Sequence, residues 1–384
     1  MICRFAPVAA ILVVGMCAPT VARAEDYYPK RNWDGFYGGE LNTSAFVFRD
    51  VDRNGVYDLG DRPMPSVAVE LRKSGGKAVM ERTNVDGFAN FKMSVLKRDR
   101  PVTNPGRYAF RVVPPPGWSL TTGNALQESG YRVLPGAPGD MVAETPTRPV
   151  GLAVDLVISG PAAVGAHVTA TAPDGRTVEA EVGDDGRYTF AAAPGVWHVA
   201  LTPTPGGVAQ VRSVTVGQAP VVLSAFPDPS ETPAALPQHA VAGFDDLILA
   251  PVVREIPAGY GGLDWHNLVA MHQRFASGPG YINTAVSGEF VAYTSSGHPA
   301  EVSHAQPFDF AGAYLGAGWN SAEGETVILQ AWRGDALVRE DWVTVSAMGP
   351  VYFDADYRSI TRLRIGSQHY WQIVVDDFVY RTSR

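Results

Sequence analysis

Residues 45–65 read AFVFRDVDRNGVYDLGDRPMP, and this stretch decides the fold class of the chain. Oxygen-bearing side chains fall at positions 1, 3, 5, 9 and 12 of a loop that begins at residue 50, with a glycine at position 6. A hard divalent cation takes about six to eight oxygen ligands, and the glycine allows a tight turn around it. The spacing predicts a structural Ca²⁺ site with a backbone carbonyl from Val56 and side-chain ligands from Asp50, Asp52, Asn54, Asp58 and Asp61.

The residues on either side of this loop exclude the helix–loop–helix form of a calcium site. The run Ala45-Phe46-Val47-Phe48 is aromatic and β-branched, which favours a strand. Pro63 and Pro65 prevent a regular helix directly after the loop. The loop is therefore expected to join β-strands, and its metal to brace the fold rather than to act as a sensor. The alternative is an acidic turn that is simply solvated.

The first 24 residues have the features of an export signal. Arg4 supplies a positive charge, an apolar run follows, and Ala22-Arg23-Ala24 has the small-x-small form of a cleavage site. A lipoprotein signal at Cys17 is the alternative, but Met16 stands where a small residue is expected. Residues 25–35 form a short N-terminal segment. The expected location is secreted, extracellular or at the cell surface, with no transmembrane segment.

Composition narrows the classes of chemistry and of partner. Cys3 and Cys17 are the two cysteines of the chain, and both lie in the predicted signal. The mature chain would therefore have no disulfide, cysteine nucleophile or thiolate metal site, and bound calcium could brace it instead. The formal charge is −8, and it becomes −10 without Arg4 and Arg23, which argues against nucleic acid as a partner.

Alternating apolar residues between glycine- and proline-rich turns predict an all-β protein of three β-sandwich modules in a row, the last a jelly roll. Asp-Gly pairs at 86–87, 174–175 and 185–186 predict hairpins. Tyr188 and Phe190 are expected on one buried face. The predicted units are residues 36–152, 153–226 and 241–384, with a proline-rich linker at 227–240.

Residues 44–91 resemble the B domain of serine–aspartate-repeat surface proteins. The resemblance rests on the strand from Phe46, the acidic loop, the Val67–Leu71 strand and the Thr83–Phe91 segment. In that family the loop binds calcium, which implies the same ligand roles for the five side chains named above. The chain departs from the family at Asp61, where Glu is common, and at Ala89, where an aromatic residue is usual.

The two remaining units carry weaker resemblances. Residues 153–226 resemble carboxypeptidase-regulatory-like or collagen-adhesin-type β-sandwiches through Asp185-Gly186-Arg187-Tyr188-Thr189-Phe190. Residues 241–384 resemble a C-terminal domain of bacterial secreted proteins with F-D-D-L and Y-G-G-L-x-W motifs. That resemblance implies a jelly roll similar to galactose-binding-like and carbohydrate-binding modules.

Acidic pairs stand at both ends of the C-terminal unit. The first and last strands of a jelly roll often lie side by side, so Asp245 or Asp246 could meet Asp376 or Asp377. Carboxylates held that close repel each other unless a cation or a proton intervenes. The sequence therefore suggests a second structural calcium. The alternative is acidic residues on edge strands that face water.

Aromatic residues of the C-terminal unit are candidates for stacking on sugar rings. Tyr260, Trp265, Trp319 and Trp371 have glycine or polar neighbours, as exposed platforms do, whereas Trp332 and Trp342 are expected to pack inside strands. The alternative for every tryptophan is burial in the core.

No catalytic motif is recognisable, so the chain is predicted not to be an enzyme. The favoured function is binding of a glycan at the cell surface or in a matrix. The main alternative is a structural or protein-binding adhesin or matrix component without glycan specificity. A secreted glycan-active enzyme, with carboxylates among Asp264, Glu289 and Glu325, is the less favoured third reading.

Overall fold

The computed structural model describes residues 42–383, apart from 74–75, 205, 229, 231 and 248–252. The predicted export signal and the segment 25–35 lie outside the described residues. The all-β prediction is confirmed, because the described residues form 27 strands and one α-helix, α1 (Pro279–Thr284). No helix in this part of the chain is long and apolar enough to cross a membrane.

The N-terminal unit is a sandwich of two sheets. One sheet has the order β2-β1-β10-β7, with β5 also pairing with β1, and the other has the order β4-β3-β6-β8-β9. The strands are β1 (Asn42–Arg49), β2 (Arg62–Pro63), β3 (Ala68–Lys73), β4 (Ala78–Arg82), β5 (Phe88–Lys92), β6 (Gly106–Val113), β7 (Trp118–Leu120), β8 (Leu126–Leu134), β9 (Ala137–Ala143) and β10 (Val150–Val154).

Strand β1 is buried on both faces, which explains its unbroken apolar sequence. Ala45 and Val47 face the core between the two sheets. Phe46 and Phe48 face the opposite side, where they form an aromatic cluster with Phe88 and the half-buried Tyr57. Ala89 and Phe91 of β5 face the main core, so the small residue at 89 is fully packed.

The middle unit repeats the sandwich on a smaller scale. One sheet has the order β13-β12-β15-β16, and β14-β11-β17 faces it. Tyr188 and Phe190 are buried in the core between them, as predicted. The strands are β11 (Val157–Pro161), β12 (His167–Thr171), β13 (Thr177–Ala180), β14 (Arg187–Ala191), β15 (Gly195–Thr202), β16 (Gln210–Val216) and β17 (Val221–Leu223).

The C-terminal unit contains the remaining elements. Short 3-10 turns span Asp245–Leu247, Tyr260–Gly262, Gln273–Phe275, Ser295–Gly297 and Asn320–Ala322, and α1 precedes β22. The strands are β18 (Gln238–Ala242), β19 (Val253–Glu255), β20 (Asp264–His266), β21 (Leu268–His272), β22 (Phe290–Thr294), β23 (Ala300–Ala317), β24 (Thr326–Arg333), β25 (Ala336–Thr344), β26 (Val351–Ser367) and β27 (Ile373–Thr382).

Strands β23 and β26 are long enough to take part in two sheets. Their register shifts between Ser303 and Gly312, where irregular pairing bends both strands. On one side of the bend they pair with each other, with β20 and with β24, and β24 pairs with β25. On the other side β27 joins β23, and β22 and β18 flank β27. The core of the unit lies between these two layers.

The three units are packed against one another. Strand β17 pairs in parallel with β26, so the sheet of the middle unit continues into the C-terminal unit. Arg212 donates to the carbonyl oxygen of Asp354 at 2.7 Å and also pairs with its carboxylate. Met348 of the C-terminal unit belongs to the core of the N-terminal unit. Strand β18 begins at Gln238, inside the predicted linker.

Candidate functional site

The acidic loop connects β1 to β2, so its flanks are strands. The aromatic ring of Tyr57 fixes the loop on the sheet, with its centroid 4.9 Å from that of Phe46 and 5.1 Å from that of Phe48. Gly55 has φ of 76°, and a Cβ there would lie 3.2 Å from the carbonyl oxygen of Thr121. The glycine at position 6 is therefore needed for both conformation and space.

The loop brings three of the predicted ligands together. One carboxylate oxygen from each of Asp50, Asp52 and Asp61 lies within 4.8 Å of the others. Within the described ranges, no other group of three or more Asp, Glu, His or Cys residues meets this distance. Three carboxylates this close repel one another unless a proton or a cation compensates their charge, and oxygen ligands of this kind suit calcium.

Backbone N–H groups hold the cluster in place. Asp50 is buried and accepts from the N–H groups of Asn54 at 3.1 Å and Gly55 at 2.8 Å. Asp61 accepts from the N–H of Val51 at 2.9 Å. These bonds fix the direction of the carboxylates but add only partial positive charges.

Asn54 and Asp58 complete the ring of polar side chains around the loop. The Nδ2 atom of Asn54 donates to Asp52 at 2.7 Å and to Asp58 at 3.0 Å. Rotation of this amide would present its oxygen to a metal instead, at the cost of the bond from Val56 N. The donor set fits calcium, and the ligand roles of Asp50, Asp52, Asn54, Val56, Asp58 and Asp61 all stay predictions.

The Asp61 carboxyl group is less acidic than usual. Its pKa is raised to about 6, first because partial burial disfavours the ionised form. Backbone hydrogen bonds from Val51 and Asp58 oppose this rise, whereas the charges of Asp50 and Asp58 add to it. A bound cation would lower the pKa of Asp61, because it favours the ionised carboxylate.

Arg49, directly before the loop, contacts all three units. It is 7% exposed, and its guanidinium donates to the carbonyl oxygens of Gln218 at 3.0 Å and Asn283 at 3.4 Å. The same group lies 5.9 Å from the centre of the Trp118 ring. Burial, and then the charge of Arg62, lower its pKa to about 10, so the group stays charged at neutral pH.

Arg62, directly after the loop, holds the C-terminal unit. It donates to the carbonyl oxygens of Ala285 at 2.9 Å and Val286 at 3.3 Å, with a longer bond to Gly288. Both ends of the acidic loop are therefore attached to the segment 283–288. Two arginines therefore connect the acidic loop to the C-terminal unit.

The acidic pairs of the C-terminal unit gather around that same segment. The Oδ2 atom of Asp376 accepts from the N–H groups of Val286 and Ser287, and Asp245 accepts from those of Glu289 and Phe290. Asp377 accepts from the hydroxyl of Ser287.

The pKa of the buried Asp376 carboxyl group is raised to about 7. Burial is the main cause, and the neighbouring charge of Asp377 adds to it. Asp246 points to the hydroxyl of Tyr260 instead, 2.7 Å away. Backbone N–H groups thus donate to an acid at each end of the unit, Asp245 and Asp376. The second calcium stays a prediction.

The structure corrects the expectation that Trp265 is an exposed platform. The side chain is 8% exposed and packs edge-on against Phe244 and Phe378, while its Nε1 donates to the carbonyl of Tyr260. Tyr260 is half-buried, and its hydroxyl is taken by Asp246. Trp265 is a core residue because β20 turns it towards the interior.

Trp319 and Trp371 are half-buried. The Nε1 atom of Trp319 donates to Gln372 at 3.0 Å, and its ring meets Tyr281 edge-on. Trp371 packs against the core of the C-terminal unit. The four predicted platforms therefore differ in exposure, and Trp265 offers no free face.

The expectation that Trp332 and Trp342 pack inside strands is wrong for Trp342, which is 52% exposed. Trp332 is half-buried, with the guanidinium of Arg362 4.3 Å from its ring centre. Both lie on strands whose alternate residues face the core, so the period-2 signal was present in the sequence. The alternation alone does not show which of the two faces of each strand is buried.

The carboxylates considered for glycosidase chemistry lie on separate elements. A carboxylate oxygen of Glu289 lies 2.8 Å from Nε2 of His272. Glu325 is buried, and its carboxylate is hydrogen-bonded to Nδ1 of His369. Asp264 is exposed on β20.

Neither known family models nor curated proteins match the sequence. Among solved structures, the TIE protein of Bacillus anthracis aligns over 48% of this chain and 33% of its own, at 13% identity and a TM-score of 0.22. The CBM51-2 and INT domains of Clostridium perfringens ZmpB, solved with GlcNAc, align over 56% and 43%, also at 13% identity and 0.22.

BcpA, the major pilin subunit of Bacillus cereus, aligns over 83% of this chain and 100% of its own at 9% identity and a TM-score of 0.19. The chain thus spans less than half of the first two proteins. TM-scores this low establish no shared fold, so the family resemblances of the three units rest on their sequence motifs.

Proposed function

We propose that this chain is an exported, non-enzymatic binding protein in which calcium fixes the relative placement of three β-sandwich units. The C-terminal unit makes the contact with a glycan of a cell surface or matrix. One observation carries the proposal: the three clustered carboxylates of loop 50–61 stand between two arginines that hold the other units.

The physical argument is one of coupling. Without a cation, repulsion among Asp50, Asp52 and Asp61 acts to spread the loop. Spreading would displace Arg49 and Arg62 from the carbonyl groups that they bind in the other units. A calcium ion removes the repulsion, so its binding energy also stabilises the arrangement of the units.

The predicted mature chain has no cysteine, so bound calcium would supply the rigidity that a disulfide could otherwise provide. Exported β-sandwiches of this size commonly use disulfides or metals for rigidity. The non-enzymatic reading is supported by Glu289 and Glu325, each of which is already held by a histidine.

Calcium titrations of the exported protein test this proposal. Calcium should raise the melting temperature and slow limited proteolysis between residues 217 and 240, and Asp52→Asn should remove most of both effects. Asp52 is exposed, so its loss should leave the calcium-free fold intact. Asp86→Asn, which removes an exposed acid from another turn, is the matched control and should respond as the wild type. Equal responses of the two variants would overturn the proposal.

A further inference from the structure

The pairing of β25, β24 and β26 places a group of aromatic, charged and amide side chains on one side of a sheet. Six of these residues are called here the outer face: Gln330, Trp332, Glu340, Trp342, Arg362 and Arg364. Directly opposed residues of antiparallel strands point to the same side. Glu340 and Arg364 both oppose Gln330, and Arg362 opposes Trp332. Trp342 opposes Ile328, two residues from Gln330 on the same side.

The other side of the same strands is the protein core. Leu329, Ala331, Val343, Leu363 and Ile365 alternate with the outer-face residues and are fully buried. The outer face itself is open: Glu340, Trp342 and Arg364 are exposed, and Gln330, Trp332 and Arg362 are half-buried. It therefore belongs to a rigid sheet whose position is fixed by packing beneath it.

Contacts within the outer face hold its side chains in place. Glu340 accepts from Gln330 Nε2 at 2.6 Å and from Trp342 Nε1 at 3.2 Å, and these two bonds lower its pKa. Arg362 lies flat over the ring of Trp332, with Cζ 4.3 Å from the ring centre. Side chains that are already ordered lose little conformational entropy when a ligand binds.

Aromatic surface and hydrogen-bonding groups alternate on the outer face. A sugar ring has an apolar C–H side, which stacks on an aromatic ring, and hydroxyl groups, which need donors and acceptors in the plane around it. Trp342 opposes a residue four positions from Trp332, so the two rings are about 13 Å apart along the strands. That span suits a chain of several sugar rings.

The charges of the outer face favour a neutral ligand. Glu301 lies 3.9 Å from Arg362, between Nε and the nearest carboxylate oxygen, and directly opposes Arg364 on the neighbouring strand. Glu340 and Asp264 are further acids on the same side of the sheet, so both arginines have acidic neighbours there. The whole chain carries a formal charge of −8, which repels polyanions. A polyhydroxylated chain without charge is complementary to this balance, whereas an acidic polysaccharide is not.

We propose that the outer face is the binding site for a neutral polysaccharide. This inference rests on the proposed glycan-binding role of the C-terminal unit and gives it a location and a ligand class. It moves the binding site away from Tyr260, Trp265, Trp319 and Trp371 to a surface formed by β24, β25 and β26.

Affinity electrophoresis of the full exported protein, in gels that contain a polysaccharide, tests the outer face. The neutral probes are dextran, galactomannan, xylan and hydroxyethyl cellulose, and the acidic probes are alginate and heparin. The wild type should be retarded by at least one neutral probe and by neither acidic one. Trp342→Ala should weaken that retardation by about tenfold or more, because this ring is exposed. Trp332→Ala should also weaken it, because it removes the ring that supports Arg362.

Tyr370→Ala is the control, because this aromatic side chain is 68% exposed and lies outside the outer face. It should bind as the wild type, and the exposed Trp342→Ala should keep the wild-type melting temperature. Retardation by none of the neutral probes, or by acidic probes alone, would overturn the inference.

Binding that survives both tryptophan substitutions would also overturn it, while leaving the proposed function standing with its site elsewhere. Loss of that binding in Trp371→Ala would then identify the site. A missing calcium response in protein that still binds through Trp342 would refute the calcium brace and leave the outer face intact.

Discussion

If the acidic loop binds calcium as proposed, calcium and rising pH should change the stability of the protein in opposite directions, and Asp61 is the residue that tests this. The carboxyl pKa is 3.8 in a model compound and about 6 in the calcium-free fold. As pH rises from about 4 to 6, the unfolded chain releases this proton while the folded chain retains it. The calcium-free protein should therefore lose stability over this range.

The size of the effect follows from the shift. About two pKa units correspond to about 3 kcal/mol for a fully buried group. Asp61 is only half-buried, so screening by solvent reduces this to about 1 kcal/mol. Calcium acts in the other direction, because it binds the ionised loop. A concentration about 100 times its Kd adds about 3 kcal/mol to the free energy of unfolding near neutral pH.

Urea unfolding at about pH 5 and about pH 7.5, in chelator and in excess calcium, measures both effects. The stabilisation by calcium should be large at the higher pH and small at the lower one. Asp61→Asn should make the calcium-free protein more stable at the higher pH by about 1 kcal/mol and remove most of the calcium response. Asn keeps an acceptor oxygen for Val51 N.

Asp86→Asn, in an exposed turn, provides the baseline for a lost acid outside the cluster. The reasoning is refuted if Asp61→Asn fails to stabilise the calcium-free protein, or if calcium stabilises the wild type equally at both pH values.

Three further predictions concern other parts of the fold. Arg62→Ala should lower the free energy of unfolding by about 1–3 kcal/mol and expose the 283–288 segment to protease, whereas the exposed Arg72→Ala should have little effect. Gly87→Ala should cost about 2 kcal/mol or more in urea unfolding, because a Cβ there would lie 2.6 Å from the carbonyl of Val47. Gly175→Ala has the same positive φ but open space, so it should cost about half as much. If a second calcium lies near Asp376, Asp376→Asn should reduce the calcium-dependent shift in melting temperature that remains in Asp52→Asn; an unchanged shift excludes that site.

The local parts of the fold could be predicted because they depend on short-range chemistry. Gly87, Gly175 and Gly186 all have positive φ, as tight turns at Asp-Gly pairs require. The hairpin prediction is correct only at 174–175, which joins the paired strands β12 and β13. The turns at 86–87 and 185–186 connect strands of different sheets, so the hairpin prediction is wrong there. The strand expected at 67–71 appears as β3, at Ala68–Lys73. The carboxylates of the acidic loop come together because fewer than a dozen residues separate them.

The aromatic residues could not be assigned in this way. Alternation divides a strand into two faces, but the partners that bury one of them lie far away in the sequence. Trp265 faces the core because β20 pairs with Val302 of β23, and Trp342 faces solvent because β25 pairs with β24. Contacts between units, such as Arg62 with the 283–288 segment, have no local signal at all.

The long-range contacts also change what the acidic loop can do. An isolated calcium loop in the first sandwich would stabilise that sandwich alone. Here Arg49 and Arg62, at its two ends, bind backbone carbonyls of the 283–288 segment, more than 200 positions away. The same segment donates to Asp376, and the two residues after it donate to Asp245. Those acids lie on or beside β27 and the start of the C-terminal unit. Calcium bound in the N-terminal unit is therefore expected to restrain the C-terminal sandwich that carries the outer face, through arginine contacts that a chelator or Arg62→Ala would weaken.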